Sequence, residues 1–481
     1  MSTPSTTNKY PVNPRLKKKR QAILSFLGII VILVAVLAGA WQIKVVREFF
    51  GQASGTPANL IVDTTAVLGE IQRPWRNLAQ GGEDHNWRIG QLTQPVAALK
   101  PEYIRIDHIY DFYDIVQGTP GNITFNWTKF DLIIDDILAT GAKPYIALSY
   151  MPPAISSGDI LAYPTNWADW QLTVQKTIEH LSGTRKISDV YYEVWNEPDL
   201  FGSYKYYGDK NYLTMYAYAS TGAKNARGVM PFKLGGPAIT ALYKNWFDAW
   251  AKGCIENNWR CDFFSWHRYT TDLGKFAEDM QLAKEWVQAY PQLEPTLEFH
   301  ITEWGHDSNN HAGYDSAYSA AHTVAAAISM SNKVTRAFAF EIQDGKDPEG
   351  KANWGRWGMF THNDFGANSK PRYRALRLLD SIPEQRLQIT GLGSFVKALA
   401  ARNDLGQTEL IIANFDPKAR NSELVPITFL NIEPGNYTLS TEFLGGNKQN
   451  QQIATDAAAL RAEVFMPINE VAKVKMIKNE P

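Results

Sequence analysis

Cysteine is almost missing from this 481-residue chain, with only Cys254 and Cys261 present. Two cysteines with six residues between them make no zinc signature; their spacing suits a short disulfide loop in an exported domain. No Gly-x-Gly-x-x-Gly or Gly-x-x-x-x-Gly-Lys follows the first strand-like segment, so a nucleotide-binding sheet would lack its phosphate cradle. Excess charge is missing too. The formal net charge is −1, and Met1–Arg20 holds six Lys/Arg and no acid, so everything after it is mildly acidic. Nucleic acid is therefore not an expected partner.

One long uncharged run is present, the twenty residues Ala22–Trp41. At ~1.5 Å per helical residue it is long enough for a bilayer core of ~30 Å. The basic residues before it outnumber Lys44 and Arg47 after it, which sets residues 1–21 as a cytoplasmic tail, 22–41 as a single-pass transmembrane anchor and the rest as extracytoplasmic. The competing reading is a signal peptide cut after Ala40, where Ala38-Gly-Ala40 offers small residues. Either way the body is exported. Residues 42–58 read as a spacer.

Short apolar runs then alternate with helical stretches, the pattern of a parallel sheet with crossover helices. Eight strand candidates follow one another: Leu60–Asp63, Tyr103–Ile106, Pro144–Tyr150, Val190–Trp195, Phe232–Gly235, Phe263–His267, Leu297–Thr302 and Ala337–Ile342. Eight such units favour a closed (β/α)₈ TIM barrel over residues 59–382. After Tyr373–Asp380 the pattern changes to strands at Leu410–Phe415, Val425–Leu430, Tyr437–Phe443 and Val471–Ile477, split by Gly, Pro and Asn turns. Residues 383–481 are thus expected to form a small C-terminal β-sandwich.

Two of the barrel strands end on a carboxylate. Asp189-Val-Tyr-Tyr-Glu-Val-Trp-Asn-Glu-Pro-Asp199 runs into Asn196, Glu197 and a proline that cannot extend the ladder. Leu297-Glu-Phe-His-Ile-Thr-Glu303-Trp-Gly305 closes in the same way. Two carboxylates at strand ends of one barrel face cleave a glycosidic bond when one is held protonated and the other ionised. A separation of ~5–5.5 Å gives retention and ~6.5–9.5 Å gives inversion, a choice the sequence leaves open. Glu298 and His300, at odd offsets from Glu303, are expected on the other side of their strand. The 12% aromatic content, with 15 Trp and 22 Tyr, suits packing against pyranose rings.

On these residues the chain resembles the retaining (β/α)₈ glycoside hydrolases of clan A, and within them family 39, which includes β-xylosidases and α-L-iduronidases. Trp195-Asn-Glu-Pro-Asp199 looks like the clan's strand-4 motif, which implies Glu197 as acid/base and Asn196 as donor to the sugar 2-hydroxyl. Thr302-Glu-Trp-Gly305 is similar to the strand-7 motif and implies Glu303 as nucleophile. Ser265-Trp-His-Arg-Tyr269 resembles the strand-6 motif, with His267 and Tyr269 as site residues and Tyr269 bonded to Glu303. Phe125–Asp131 with Gly141–Leu148, and Trp357–Phe360 with Lys370–Tyr373, extend the likeness over about Asn59–Asp380. Arg105-Ile-Asp107-His108 departs from the family's Arg-x-His-Gly, so either Asp107 or His108 is expected to meet the sugar. Trp354 and Trp357 are further candidates for sugar contact. The expectation is an anchored, outward-facing retaining hydrolase of a cell-surface or exported polysaccharide or oligosaccharide, needing no metal or organic cofactor. Its alternatives are a secreted exo-β-xylosidase and a non-hydrolytic carbohydrate-binding subunit.

Overall fold

A computed structural model describes residues 55–82, 84–346 and 355–479. The basic tail, the run Ala22–Trp41, most of the spacer and Trp354 lie outside the described residues. Among those described, no helix is long and apolar enough to cross a membrane. The strands in chain order are β1 (Leu60–Glu70), β2 (Asn77–Gln80), β3 (Tyr103–Ile106), β4 (Val116–Thr119), β5 (Asn122–Phe125), β6 (Lys143–Leu148), β7 (Val190–Val194), β8 (Phe232–Ile239), β9 (Phe263–Tyr269), β10 (Glu298–Gly305) and β11 (Arg336–Phe340). Then come β12 (Gln385–Thr390), β13 (Val396–Arg402), β14 (Thr408–Asn414), β15 (Glu423–Leu430), β16 (Gly435–Phe443), β17 (Lys448–Thr455), β18 (Ala459–Met466) and β19 (Glu470–Lys478).

Strands β2, β3 and β6 to β11 close the expected eight-stranded barrel, and each described barrel pair is parallel. Side chains two apart share a face of a strand. Tyr103, Tyr145, Tyr191, Phe263 and Phe338 accordingly form one packed layer inside the barrel, with Ala79 among them. The next inward positions above Tyr103 and Tyr191 are Arg105 and Glu193, so the polar site is built directly on an aromatic floor. Around the outside, helices bury one stripe each; Thr128–Ala139 presents Phe130, Ile133, Ile134 and Ile137 inward and its charged residues outward.

Three expectations are corrected. Leu60–Asp63 is not a barrel strand: β1 pairs antiparallel with β12 and parallel with β15. The first barrel strand is β2, whose four residues Asn-Leu-Ala-Gln are too short and too polar to show a strand pattern although all are buried. Second, Glu298 and His300 point into the barrel. Tyr191 Oη donates to Glu298 Oε2 at 2.6 Å, and the His300 ring packs on Phe263 at 5.1 Å. A register shift between Ile301 and Glu303 breaks strict alternation and brings Glu303 round to the same side. Third, the C-terminal β domain is a single nine-stranded sheet in the order β17-β16-β19-β14-β13-β12-β1-β15-β18. It coils until Gln451 on β17 bonds the Glu463 carbonyl on β18 at 2.9 Å, enclosing one core that includes Leu60, Ile412, Ile427 and Val474.

The helix Ala317–Met330 lies beneath β13, β14 and β19, and Phe415 packs on the rings of Tyr318 and His322 at 5.2 and 5.1 Å. The expected disulfide joins Cys254 to Cys261.

Candidate active site

Strand β7 ends because the backbone turns left-handed, with φ of 75° at Trp195 and 45° at Glu197. L residues adopt this region at a cost, which neighbouring bonds offset here. Glu197 N–H donates to the Ala238 carbonyl at 2.9 Å, and Trp195 Nε1 donates to the Phe201 carbonyl at 3.1 Å. This turn aims Asn196 and Glu197 over the barrel mouth. Strand β10 brings Glu303 to the same end, β9 contributes His267 and Tyr269 two residues apart, and β3 contributes Arg105 and Asp107.

Arg105, wholly buried, ties these parts together. Its Nε donates to Glu193 Oε2 at 2.7 Å, Nη1 to Glu303 Oε1 at 2.9 Å and Nη2 to Asn196 Oδ1 at 2.7 Å. Level with Glu193 on the intervening β6 stands Ala147, whose single methyl leaves room for the guanidinium to reach across. A planar, permanently charged fork meets three acceptors at fixed angles, which an ammonium does not. Asn196 gives one amide hydrogen to Tyr150 Oη at 2.9 Å, leaving its second for a ligand.

The two strand-end acids meet. His267 Nδ1 lies 2.8 Å from Glu197 Oε1 and 3.4 Å from Glu303 Oε2. Taking one atom from each of Glu197, His267 and Glu303, all three fall within 4.8 Å of one another. Tyr269 Oη donates to Glu303 Oε2 at 2.8 Å, as the sequence suggested. Burial pushes Glu197 up to about 7, with Asp199 adding to the rise and Arg105 opposing it. Burial also pushes Glu303 up, Arg105 opposes the rise, and the neighbouring Glu197 and Asp107 add to it. Burial pushes His267 down, which keeps the imidazole neutral. The environments differ in their hydrogen bonds: Glu197 can hold a proton near neutrality, whereas Glu303 accepts from Arg105 and Tyr269, bonds that favour its carboxylate form.

Glu197, His267 and Glu303 are also the one group among the described residues whose donor atoms converge closely enough for a cation. The charged Arg105 Nη1 on Glu303 Oε1 works against such a use.

A cavity of about 460 Å³ opens over these groups, lined by Asp107, Asn196, Glu197, Tyr269, Glu303 and Trp357 among others. His267 lies beneath it. Asp107 Oδ1 is buried and makes no hydrogen bond to the protein, as befits an acceptor kept for a ligand. His108 does not line the cavity: its ring is held by Asp111 at 2.7 Å and stacked on Phe112 at 4.2 Å. The structure thus gives the cavity position to Asp107. Tyr204 is buried against Trp195 and bonded to the Leu161 carbonyl, away from the lining.

Sequence reading overlooked the roles of Arg105, Glu193 and Tyr150, and the place of Phe340 in the cavity wall. A usable cue existed for two of them. Arg105 stands two before Asp107 and Glu193 four before Glu197, and charged residues within otherwise apolar strands are affordable only when paired. Tyr150 and Phe340 carry no such mark, since core aromatics look the same in sequence.

The chain as a whole is similar to known proteins. The model for "Glycosyl hydrolases family 39" matches residues 61–446. A β-xylosidase of Caldicellulosiruptor saccharolyticus is 28% identical over 411 residues, covering 76% of this chain and 79% of that protein. A β-xylosidase of Geobacillus stearothermophilus is 29% identical over 159 residues, 31% of each chain. Among solved structures, a monomeric β-xylosidase from Caulobacter crescentus superposes with a TM-score of 0.71 at 19% identity, covering 88% of this chain and 100% of that one. A GH39 enzyme from Xanthomonas axonopodis pv. citri gives 0.70 at 17% identity over 88% and 98%. At these identities the superpositions speak for the fold.

Proposed function

Since this chain belongs to glycosyl hydrolases family 39 and is a glycosidase, we propose that it works by double displacement with retention, from an outward-facing membrane anchor, on an exported or cell-surface saccharide. The carrying observation is the convergence of Glu197 and Glu303 within 4.8 Å across one cavity. So close an approach of oxygens from the two carboxyl groups favours the narrow gap of ~5–5.5 Å that goes with retention over the ~6.5–9.5 Å of inversion.

Glu197 gives its proton to the leaving oxygen while Glu303 attacks the anomeric carbon from the opposite face. The glycosidic C–O bond breaks, a glycosyl ester forms on Glu303, and the aglycone leaves as an alcohol. Glu197, now a carboxylate, takes a proton from a water whose oxygen attacks the anomeric carbon; the bond from that carbon to Glu303 breaks and restores the Glu303 carboxylate. Two inversions give net retention. The free amide hydrogen of Asn196 is placed to hold the sugar 2-hydroxyl, and Asp107 accepts from another hydroxyl of the same ring. Two relatives are named β-xylosidases, which makes a β-xyloside the substrate to try first.

Proton NMR during hydrolysis of an aryl β-xyloside should show the β-anomer of the free sugar appearing first; a first-formed α-anomer refutes the mechanism. Because Glu197 must be protonated to act, kcat/KM should fall as pH rises through about 7. A basic limb down in the ordinary carboxylate range would remove Glu197 from that role.

The run Ala22–Trp41 with its basic flank supports the anchor, and the Cys254–Cys261 disulfide supports an oxidising compartment. The full chain should sediment with membranes and resist high-salt extraction. Recovery in the medium with an N-terminus just after Ala40 would favour secretion.

A further inference from the structure

The cavity has two unlike ends. Gly81, Gly82, Asp107, Phe340 and Trp357 close one; Leu200, Phe201 and Thr240, on the loops after β7 and β8, form the other, beside Glu197. From that second end an exposed apolar strip runs outward. Leu200 is 57% exposed, Phe201 40%, Tyr243 42% and Tyr207 58%. It is continuous with the cavity, because the Tyr243 hydroxyl lies 3.4 Å from Thr240 Oγ1. Asn245, two residues on, donates to Tyr206 Oη at 3.2 Å, and Tyr206 meets Tyr207 ring to ring at 4.9 Å.

The strip is preformed. Leu200 and Phe201 donate their backbone N–H groups to the Glu197 carbonyl at 2.9 and 2.7 Å, Thr240 bonds Asp199, and Tyr206 leans on Trp246 at 5.7 Å. Large apolar groups held in water at the rim of a saccharide cavity cost solvation that a flat ligand would recover, with little ordering left to do on binding.

We propose that the surface from Leu200 through Tyr243 to Tyr207 binds the leaving-group side of a linear oligosaccharide, so that the preferred substrate carries more than one sugar unit beyond the scissile bond. This rests on Glu197 being the acid, since the leaving group must lie on the acid's side. Sugar faces stack on the tyrosine rings while their hydroxyls stay in water, an arrangement that tolerates a chain sliding forward between cuts.

The test uses the full chain with nitrophenyl β-xyloside and with linear β-linked xylo-oligosaccharides of increasing length. In the unaltered enzyme kcat/KM should climb with length. Combined Tyr207→Ala and Tyr243→Ala should lower it about tenfold on the longest substrate, chiefly through KM, the effect of losing aromatic contact. The aryl glycoside should change by less than about twofold, which also reports an intact fold. A flat length dependence with an active aryl glycoside, or equal losses on both substrates, overturns the strip and leaves the catalytic reading standing. No turnover of either substrate overturns that reading, and the strip with it.

Discussion

Glu303→Ala is expected to lower kcat on an aryl glycoside by at least about 10⁴-fold, the scale at which covalent nucleophiles are lost elsewhere. Among the described residues lining the cavity, Glu303 is the only carboxylate with both oxygens fixed by hydrogen bonds, from Arg105 and Tyr269. Removing it leaves an anion-shaped space facing those donors. Azide added to the variant should enter that space, attack the anomeric carbon from the same face and release the aryl group. The product is a glycosyl azide of inverted configuration, because the second inversion no longer occurs. Circular dichroism should show an unchanged fold. Residual activity near that of the unaltered enzyme, or rescue giving the retained azide, would assign the nucleophile elsewhere.

The second large effect falls on Arg105, which touches no substrate in this scheme. Burial works against its charge, but Glu193 and Glu303 more than offset that and raise its pKa. Arg105→Met removes the cation from beneath two carboxylates and an amide that stay where they were. A buried ion network broken on one side costs about 3–5 kcal/mol, to be read as a lower urea midpoint at unchanged slope. Activity should fall steeply as well, because Asn196 and Glu303 lose the same anchor. Arg105→Lys should recover part of the stability and little of the rate, since one ammonium does not span three acceptors. A midpoint within error of the unaltered protein, or a lysine variant with full activity, would show that the fork is not what sets the site.

The parts of this molecule that could be read from the chain are those where a pattern is local. Val190–Val194 is a run of strand formers cut off by a turn, and Glu303 closes a similar run, so both acids were found without a structure. Seven barrel strands were legible for the same reason. What escaped was decided by distant partners. Leu60–Glu70 looks like any apolar strand, and only pairing with residues more than 300 positions later assigns it to the second sheet. Asn77–Gln80 is a strand because its neighbours are. The orientation of His300 depended on a register shift between β9 and β10, which strict alternation does not anticipate. His108, one residue past Asp107, takes φ of 54° and turns to Asp111, a backbone choice with no mark in composition.

The placement of β1 bears on how the chain is made. Residues 60–70 leave the ribosome early, yet the strands on either side of them, β12 and β15, are among the last synthesised. The barrel strands, contiguous from β2 to β11, are all made before that. If synthesis is coupled to export, the nascent protein crosses with its opening strand unmatched, and Leu60 and Val62 stay exposed until the tail arrives to cover them. Truncating the C-terminal sheet would therefore leave β1 unpaired and would also uncover the helix Ala317–Met330, since Leu399, Ala401, Ile411 and Ala413 share the barrel's core.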